Sequence, residues 1–150
     1  MDLEQKVMND LKAAMLARDE KSLRSLRAIK AAIINTKTAE GFSGDIKEGD
    51  EIKLLQKLVK QRRDSLEIYE KQNREDLATI ERDEIDVIEK FLPKQMDEAE
   101  LRIAIENIIK ESGATSPADM GKVMGIANKK LAGKADGKGI AAIVKDILVK

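Results

Sequence analysis

Apolar residues recur along this chain at intervals of three and four, and no stretch alternates with the period of two that marks a strand. The pattern predicts an all-α protein. A first helix, capped by Asp2, runs to about residue 18 with Leu3, Val7, Leu11, Ala14 and Met15 on one face. A second, about 19–38, carries Leu23, Leu26, Ile33 and Ile34. The segment TAEGFSGDIKEGD (38–50) then breaks the rhythm with three glycines and reads as a mobile loop or a junction between helices. A third helix, about 51–72, has Ile52, Leu55, Leu58, Val59, Leu66 and Tyr69 on one stripe. Asn73 marks a tight turn. A fourth, about 75–92, presents Leu77, Ile80, Ile88 and Phe91, and Pro93 stops it.

Two charged residues interrupt these stripes. Arg62 falls in the middle of the third helix's apolar face, and Glu84 in the middle of the fourth's. Both lie about equally far from the turn at Asn73, so in an antiparallel hairpin they should meet. The expectation is a partly buried Arg62–Glu84 ion pair that fixes helix register, with Glu81 as the alternate partner.

The segment PKQMD (93–97) reads as a linker into a second unit. Asp97 and Glu100 form a D-x-x-E capping pattern before Leu101, Ile105, Ile108 and Ile109, and Gly113 is placed to end that fifth helix. Ser116, Pro117 and Asp119 give a cap, a proline at the first helical position and an acid in the first turn. A sixth helix should run from there to about Leu131, with Gly133 ending it. Asp136 should cap a seventh, in which Ile140, Ile143, Val144, Ile147 and Leu148 share one face. The expected architecture is two dissimilar helical subdomains. Residues 1–92 form long antiparallel helices, 93–97 a linker, and 98–150 a small three-helix unit.

Composition narrows the chemistry. The 150 residues are 42% hydrophobic and 37% charged, too apolar for a disordered chain. No apolar run approaches the roughly 20 residues of a membrane-spanning helix. The start, MDLEQKVMNDLKAAM, lacks the apolar core of a secretion signal, so a cytoplasmic protein is expected. There is no Cys, His or Trp, and the three aromatics are Phe42, Tyr69 and Phe91. Thiol chemistry, the commonest general base and the commonest metal ligand are missing, and base-stacking platforms have little to build on. No catalytic residue, cofactor site or metal site is assigned. Net charge is zero, yet residues 120–150 hold seven lysines against two acids. A local basic stripe of this kind attracts polyanions.

Familiar motifs fail on context. GKGIAA (137–142) fits G-x-G-x-x-A, but no strand precedes it and no acid follows about twenty residues on. Neither "GK" in 133–138 is followed by Ser or Thr, so the phosphate loop is absent. The acids of ERDEID (81–86) fan around a helix and form a solvated face rather than a metal cage.

The stretch MGKVMGIANKKLAGKADGKG (120–139) is different. It packs five glycines and five lysines into twenty residues while keeping a helical rhythm. Met120, Val123, Met124, Ala127 and Leu131 make a core arc. Gly121, Gly125 and Asn128 line the adjacent flank, and Lys122 and Lys129 lie next around. Either the glycines admit another helix and the lysines are merely solvated, or the bare backbone beside a lysine pair leaves room for a phosphate backbone. Lys134 and Lys138 flank Asp136 at a helix start, where lysine opposes the macrodipole. A bound phosphate would account for that placement.

KQRRDSLEIYEKQNREDLA (60–78), FLPKQM (91–96) and GATSPADMGKVMGIANKKLAGKADGKGI (113–140) resemble the YqeY-like family in order and spacing over nearly the whole chain. The C-terminal part is also similar to the tail domain of the B subunit (GatB) of the glutamyl/aspartyl-tRNA amidotransferase. The family motif falls on Gly121, Lys122, Val123, Met124, Gly125, Gly133, Lys134, Ala135, Asp136 and Gly137, and departs from its relatives at Ala127-Asn128. The resemblance implies an all-helical fold with two dissimilar subdomains and a non-catalytic appendage that aids tRNA binding. A carbon–nitrogen ligase activity with glutamine as amide donor would belong to the larger enzyme's catalytic core, and nothing in this chain matches that core.

Three functions follow as expectations. The first is an RNA-binding accessory domain, with tRNA or another structured RNA as partner and Lys122, Lys129, Lys130, Lys134 and Lys138 beside Gly121 and Gly125 as contacts. The second is a protein-interaction module docking on a synthetase or amidotransferase. The third is a subunit-like piece of an amide-transfer enzyme.

Overall fold

A computed structural model describes residues 1–149, and Lys150, the last lysine of the basic tail, lies outside them. Every regular element described is helical. The chain divides into two compact units, Met1–Leu92 and Pro93–Lys150.

The first unit contains α1 (Leu3–Ala17), α2 (Glu20–Lys37), α3 (Glu48–Lys71) and α4 (Glu75–Glu89). Asp2 starts α1 through a full capping box with Gln5. The Glu51 carboxylate of α3 accepts a further bond from the Leu3 amide at 2.9 Å, placing negative charge at the positive end of α1. Arg18 ends α1 in the left-handed conformation (φ 56°), and Asp19 at once caps α2. Two residues therefore reverse the chain. Asn73 plays the same left-handed part (φ 58°) between α3 and α4.

Two helix boundaries differ from the sequence expectation. α3 begins at Glu48 rather than near 51, with Glu48, Asp50 and Glu51 in its first turn, where acids complement the helix dipole. Gly49 is accommodated within that turn. α4 ends at Glu89 because Lys90, Phe91 and Leu92 donate to the carbonyls of Val87, Ile88 and Glu89, a tightened three-residue turn ahead of Pro93.

Val7, Ile29, Leu55 and Ile88 are the largest fully buried side chains of this unit, each 1% exposed or less. Burying such a side chain contributes about 1.5–3 kcal/mol. Met15, Ile34 and Ile80, assigned to apolar faces, are instead exposed at the edges of their stripes. Inside this unit Arg62 Nε donates to Glu84 Oε2 at 2.8 Å, and Arg62 Nη1 donates to the Leu58 carbonyl at 3.0 Å. The other Glu84 oxygen lies 3.2 Å from Arg24 Nε. One carboxylate of α4 thus ties α2 and α3. Glu81 is not the partner. Burial, reinforced by the Glu84 charge, holds its carboxyl above the usual range, and Arg62 pulls it back only in part.

The second unit contains α5 (Glu98–Ser112), a single 3₁₀ turn (Pro117–Asp119), α6 (Met120–Lys130) and α7 (Gly137–Val149). Asp97 caps α5 by accepting from the Glu100 amide at 2.8 Å, and Gly113 ends it in the left-handed region (φ 73°). Its core is Leu101, Ile105, Ile108, Ile109, Val123, Ala127, Leu131, Ile140, Ile143, Val144 and Leu148. All three aromatic residues of the chain fall in the first unit, so this core is wholly aliphatic. Residues 93–97, read from the sequence as a linker, are held to this unit. The Met96 amide donates to the Lys134 carbonyl at 2.9 Å, and the Met96 side chain packs on the core.

Removing Glu84 leaves the mostly buried Arg62 side chain without its carboxylate. Glu84→Ala is expected to cost about 3 kcal/mol, read from urea denaturation, whereas Arg62→Met combined with Glu84→Met should recover most of that loss. A Glu84→Ala variant as stable as wild type would show that the pair is energetically idle.

Candidate nucleic-acid interface

The candidate face is built on α6 and the turn that follows it. Its entry is a carboxylate-centred cap. Asp119 accepts from the amides of Thr115 (3.0 Å) and Ser116 (3.3 Å). Those two backbone bonds, with a smaller contribution from the Lys122 charge, hold its carboxyl below the usual range. The expected helix start at Pro117 is therefore present, but as a 3₁₀ turn that passes into α6 at Met120.

Along α6, Val123 and Ala127 are buried, and Met120, Met124 and Ile126 pack partly against the same core. Gly121, Lys122, Gly125, Asn128 and Lys129 are all exposed. Outside the backbone of α6 itself and the adjoining residues, no heavy atom of the described residues lies within 4 Å of the place a Cβ would take at Gly121 or Gly125. Among the described residues, then, no helix uses these glycines for close approach. Each costs about 1 kcal/mol relative to alanine within a helix, and no side-chain contact at either position among the described residues offsets it.

The five candidate lysines do not behave alike. Lys122 Nζ donates to the Ser112 carbonyl at 3.1 Å and so satisfies an open carbonyl at the end of α5. Lys130 pairs with Glu111 at 3.0 Å on an exposed surface, a contact of little energetic weight. Lys129, Lys134 and Lys138 are exposed and have no side-chain partner among the described residues. The sequence pattern could not separate these groups, because Ser112 and Glu111 belong to another helix.

The turn between α6 and α7 has its own logic. Leu131 closes α6, and buried Gly133 takes the left-handed conformation (φ 77°). Asp136 Oδ1 accepts from the Gly139 amide at 2.7 Å. A methyl group on Gly139 would stand 2.8 Å from that oxygen, so a larger residue there would make the capping carboxylate shift. The chain's own carboxylate thus caps the start of α7 at one amide. Lys134 and Lys138 flank that carboxylate, as the sequence places them. The lysines remain available to an anion beside it.

A family model described as Yqey-like protein matches residues 4–148. The chain belongs to the YqeY-like family. Among curated proteins, one similar relative is "Altered inheritance of mitochondria protein 41, mitochondrial" from Lachancea thermotolerans. It is 33% identical over 111 residues, covering 73% of this chain and 59% of that protein. Proteins of the same name from Saccharomyces cerevisiae (36% over 95 residues, 63% of this chain and 50% of that protein) and Clavispora lusitaniae (37% over 92 residues, 59% and 52%) also match. The chain spans little more than half the length of these relatives. Their names correct the expectation of a cytoplasmic location, since they are designated mitochondrial. Composition could not have revealed this: lack of cysteine and of a long apolar segment fits either compartment.

Two outcomes follow for this face. Gly121→Ala and Gly125→Ala should each raise stability by about 0.5–1 kcal/mol in denaturant titrations, since each site is helical and has room for a methyl group. A loss of stability would mean that the face is covered. The lowered carboxyl of Asp119 contributes stability that is complete above its ordinary value of 3.8 and is lost as pH falls through its folded value. Asp119→Asn should therefore be less stable than wild type at neutral pH, with the gap closing under acid. Parallel stability–pH curves would contradict this.

Proposed function

We propose that the second unit is a non-catalytic module that binds structured RNA, with tRNA the first candidate, through phosphate contacts. The observation that carries this reading is the open, exposed backbone at Gly121 and Gly125 on the same helix as Lys129, which has no side-chain partner among the described residues. A phosphate chain needs close approach and positive charge, and this face offers both. The absence of aromatic residues from this unit favours sequence-independent contact, since bases have no ring on which to stack. The similarity of residues 113–140 to the tail of the amidotransferase B subunit supports tRNA over other RNAs. The relatives' mitochondrial names make mitochondrial tRNA the preparation to set beside bulk tRNA.

Lys129, Lys134 and Lys138 are the principal contacts in this reading. Lys122 and Lys130 contribute more weakly, because each first gives up a partner on α5. Docking on an aminoacyl-tRNA synthetase or amidotransferase is the competing outcome. A complex that survives RNase and high salt would favour it.

The test is fluorescence anisotropy with labelled tRNA from low to moderate salt. Binding should weaken steeply with salt, each phosphate contact adding roughly 0.7–0.9 to the log–log slope. Lys129→Glu with Lys134→Glu should lower affinity about tenfold or more, as expected when attraction at two contacts becomes repulsion. No binding at low salt, or an unchanged affinity after charge reversal, would sink the proposal.

A further inference from the structure

The segment before α5 has a property that the RNA-binding reading does not use. The Gln95 side-chain amide donates twice, to the Pro93 carbonyl at 2.9 Å and to the Gly133 carbonyl at 2.6 Å. The next residue adds the bond from the Met96 amide to the Lys134 carbonyl. Two successive carbonyls of the α6–α7 turn are therefore held by two successive residues of one strap. Within the turn itself, the Lys134 amide donates to the Leu131 carbonyl at 3.0 Å. Gly133, the most freely rotating residue type, takes the first strap bond, and its neighbour Lys134 takes the second.

We infer that Gln95 is a positioning residue that pins the Gly133–Lys134 turn and so presets Lys134 for its anionic partner. This rests on the RNA-binding reading of the lysine face. The physical reason is entropic. A long lysine on a loose glycine turn must be ordered when it binds, and a pinned backbone removes part of that cost beforehand. Gln95 is half-buried, and both hydrogens of its amide are used, so its role is specific to a side chain with two donors at that reach. Gln95 needs no contact with RNA to act.

Gln95→Met keeps the length and flexibility of the side chain and removes both donors. Hydrogen exchange of the full chain should show the amides of residues 133–135 exchanging at least tenfold faster, with those of Ile105, Val123 and Val144 unchanged. Affinity for tRNA should fall about three- to tenfold at every salt concentration with the salt slope preserved, because the charges are still present. Lys134→Ala, by contrast, should lower the slope. In the Lys134→Ala background, Gln95→Met should have no further effect on affinity.

Unchanged exchange in the turn overturns the inference whatever happens with RNA. Additive effects of Gln95→Met and Lys134→Ala overturn it as well, since they would make Gln95 a general structural residue. Failure of the wild-type chain to bind tRNA overturns the underlying reading and the role given to Lys134, while the exchange experiment still decides the pinning. If Gln95→Met does not fold, Gln95→Leu serves the same comparison.

Discussion

Scarcity of aromatic side chains constrains everything in this protein. With three aromatics in 150 residues, apolar burial must come from Ile, Leu, Val and Ala on helix faces, each contributing a modest area. Such cores need helices whose faces stay aligned and whose ends do not fray. The structure meets that need with polar devices at the ends. Asp2, Asp19, Asp97 and Asp136 cap helix starts, Gly113 ends α5, and Gly133 turns the chain after α6. In the first unit, where the helices are longest, a carboxylate shared between two guanidinium groups adds a contact with direction, which aliphatic packing lacks.

How much of this could be read beforehand depended on whether the cause lay nearby in the chain. The caps, the left-handed turn at Asn73 and the apolar stripes are local, and their residues mark them. The Arg62–Glu84 contact is remote, but a helical wheel and one turn position sufficed to anticipate it, because antiparallel helices preserve distance from their turn. The engagement of Lys122 with the Ser112 carbonyl and the hold of Gln95 on Gly133 were out of reach. Both join a side chain to a backbone carbonyl, and every residue carries a carbonyl, so no residue type announces the partner. The early start of α3 was missed because Gly49 reads as a breaker, whereas three neighbouring acids support the turn.

The candidate face shows how a helix can be kept weaker than it need be. Alanine fits at Gly121 and Gly125, yet glycine stands at both, with open space over each. Around them the lysines divide between those that fasten α5 to α6 and those that face solvent without a partner among the described residues. That division gives the face a fixed frame and a free edge. The strap from residues 93–96 extends the frame to the glycine turn, so the segment entering this unit also helps shape its surface.

The wholly aliphatic core of the second unit has an optical consequence. Its folding and its encounters with a ligand produce no intrinsic near-ultraviolet signal, because the single tyrosine, Tyr69, lies in the first unit and there is no tryptophan. Native fluorescence therefore reports on α3 of the first unit, while the second could melt unobserved. That silence is also an opportunity. A lone tryptophan placed at an exposed position of α7 would emit against a dark background and make the second unit separately visible.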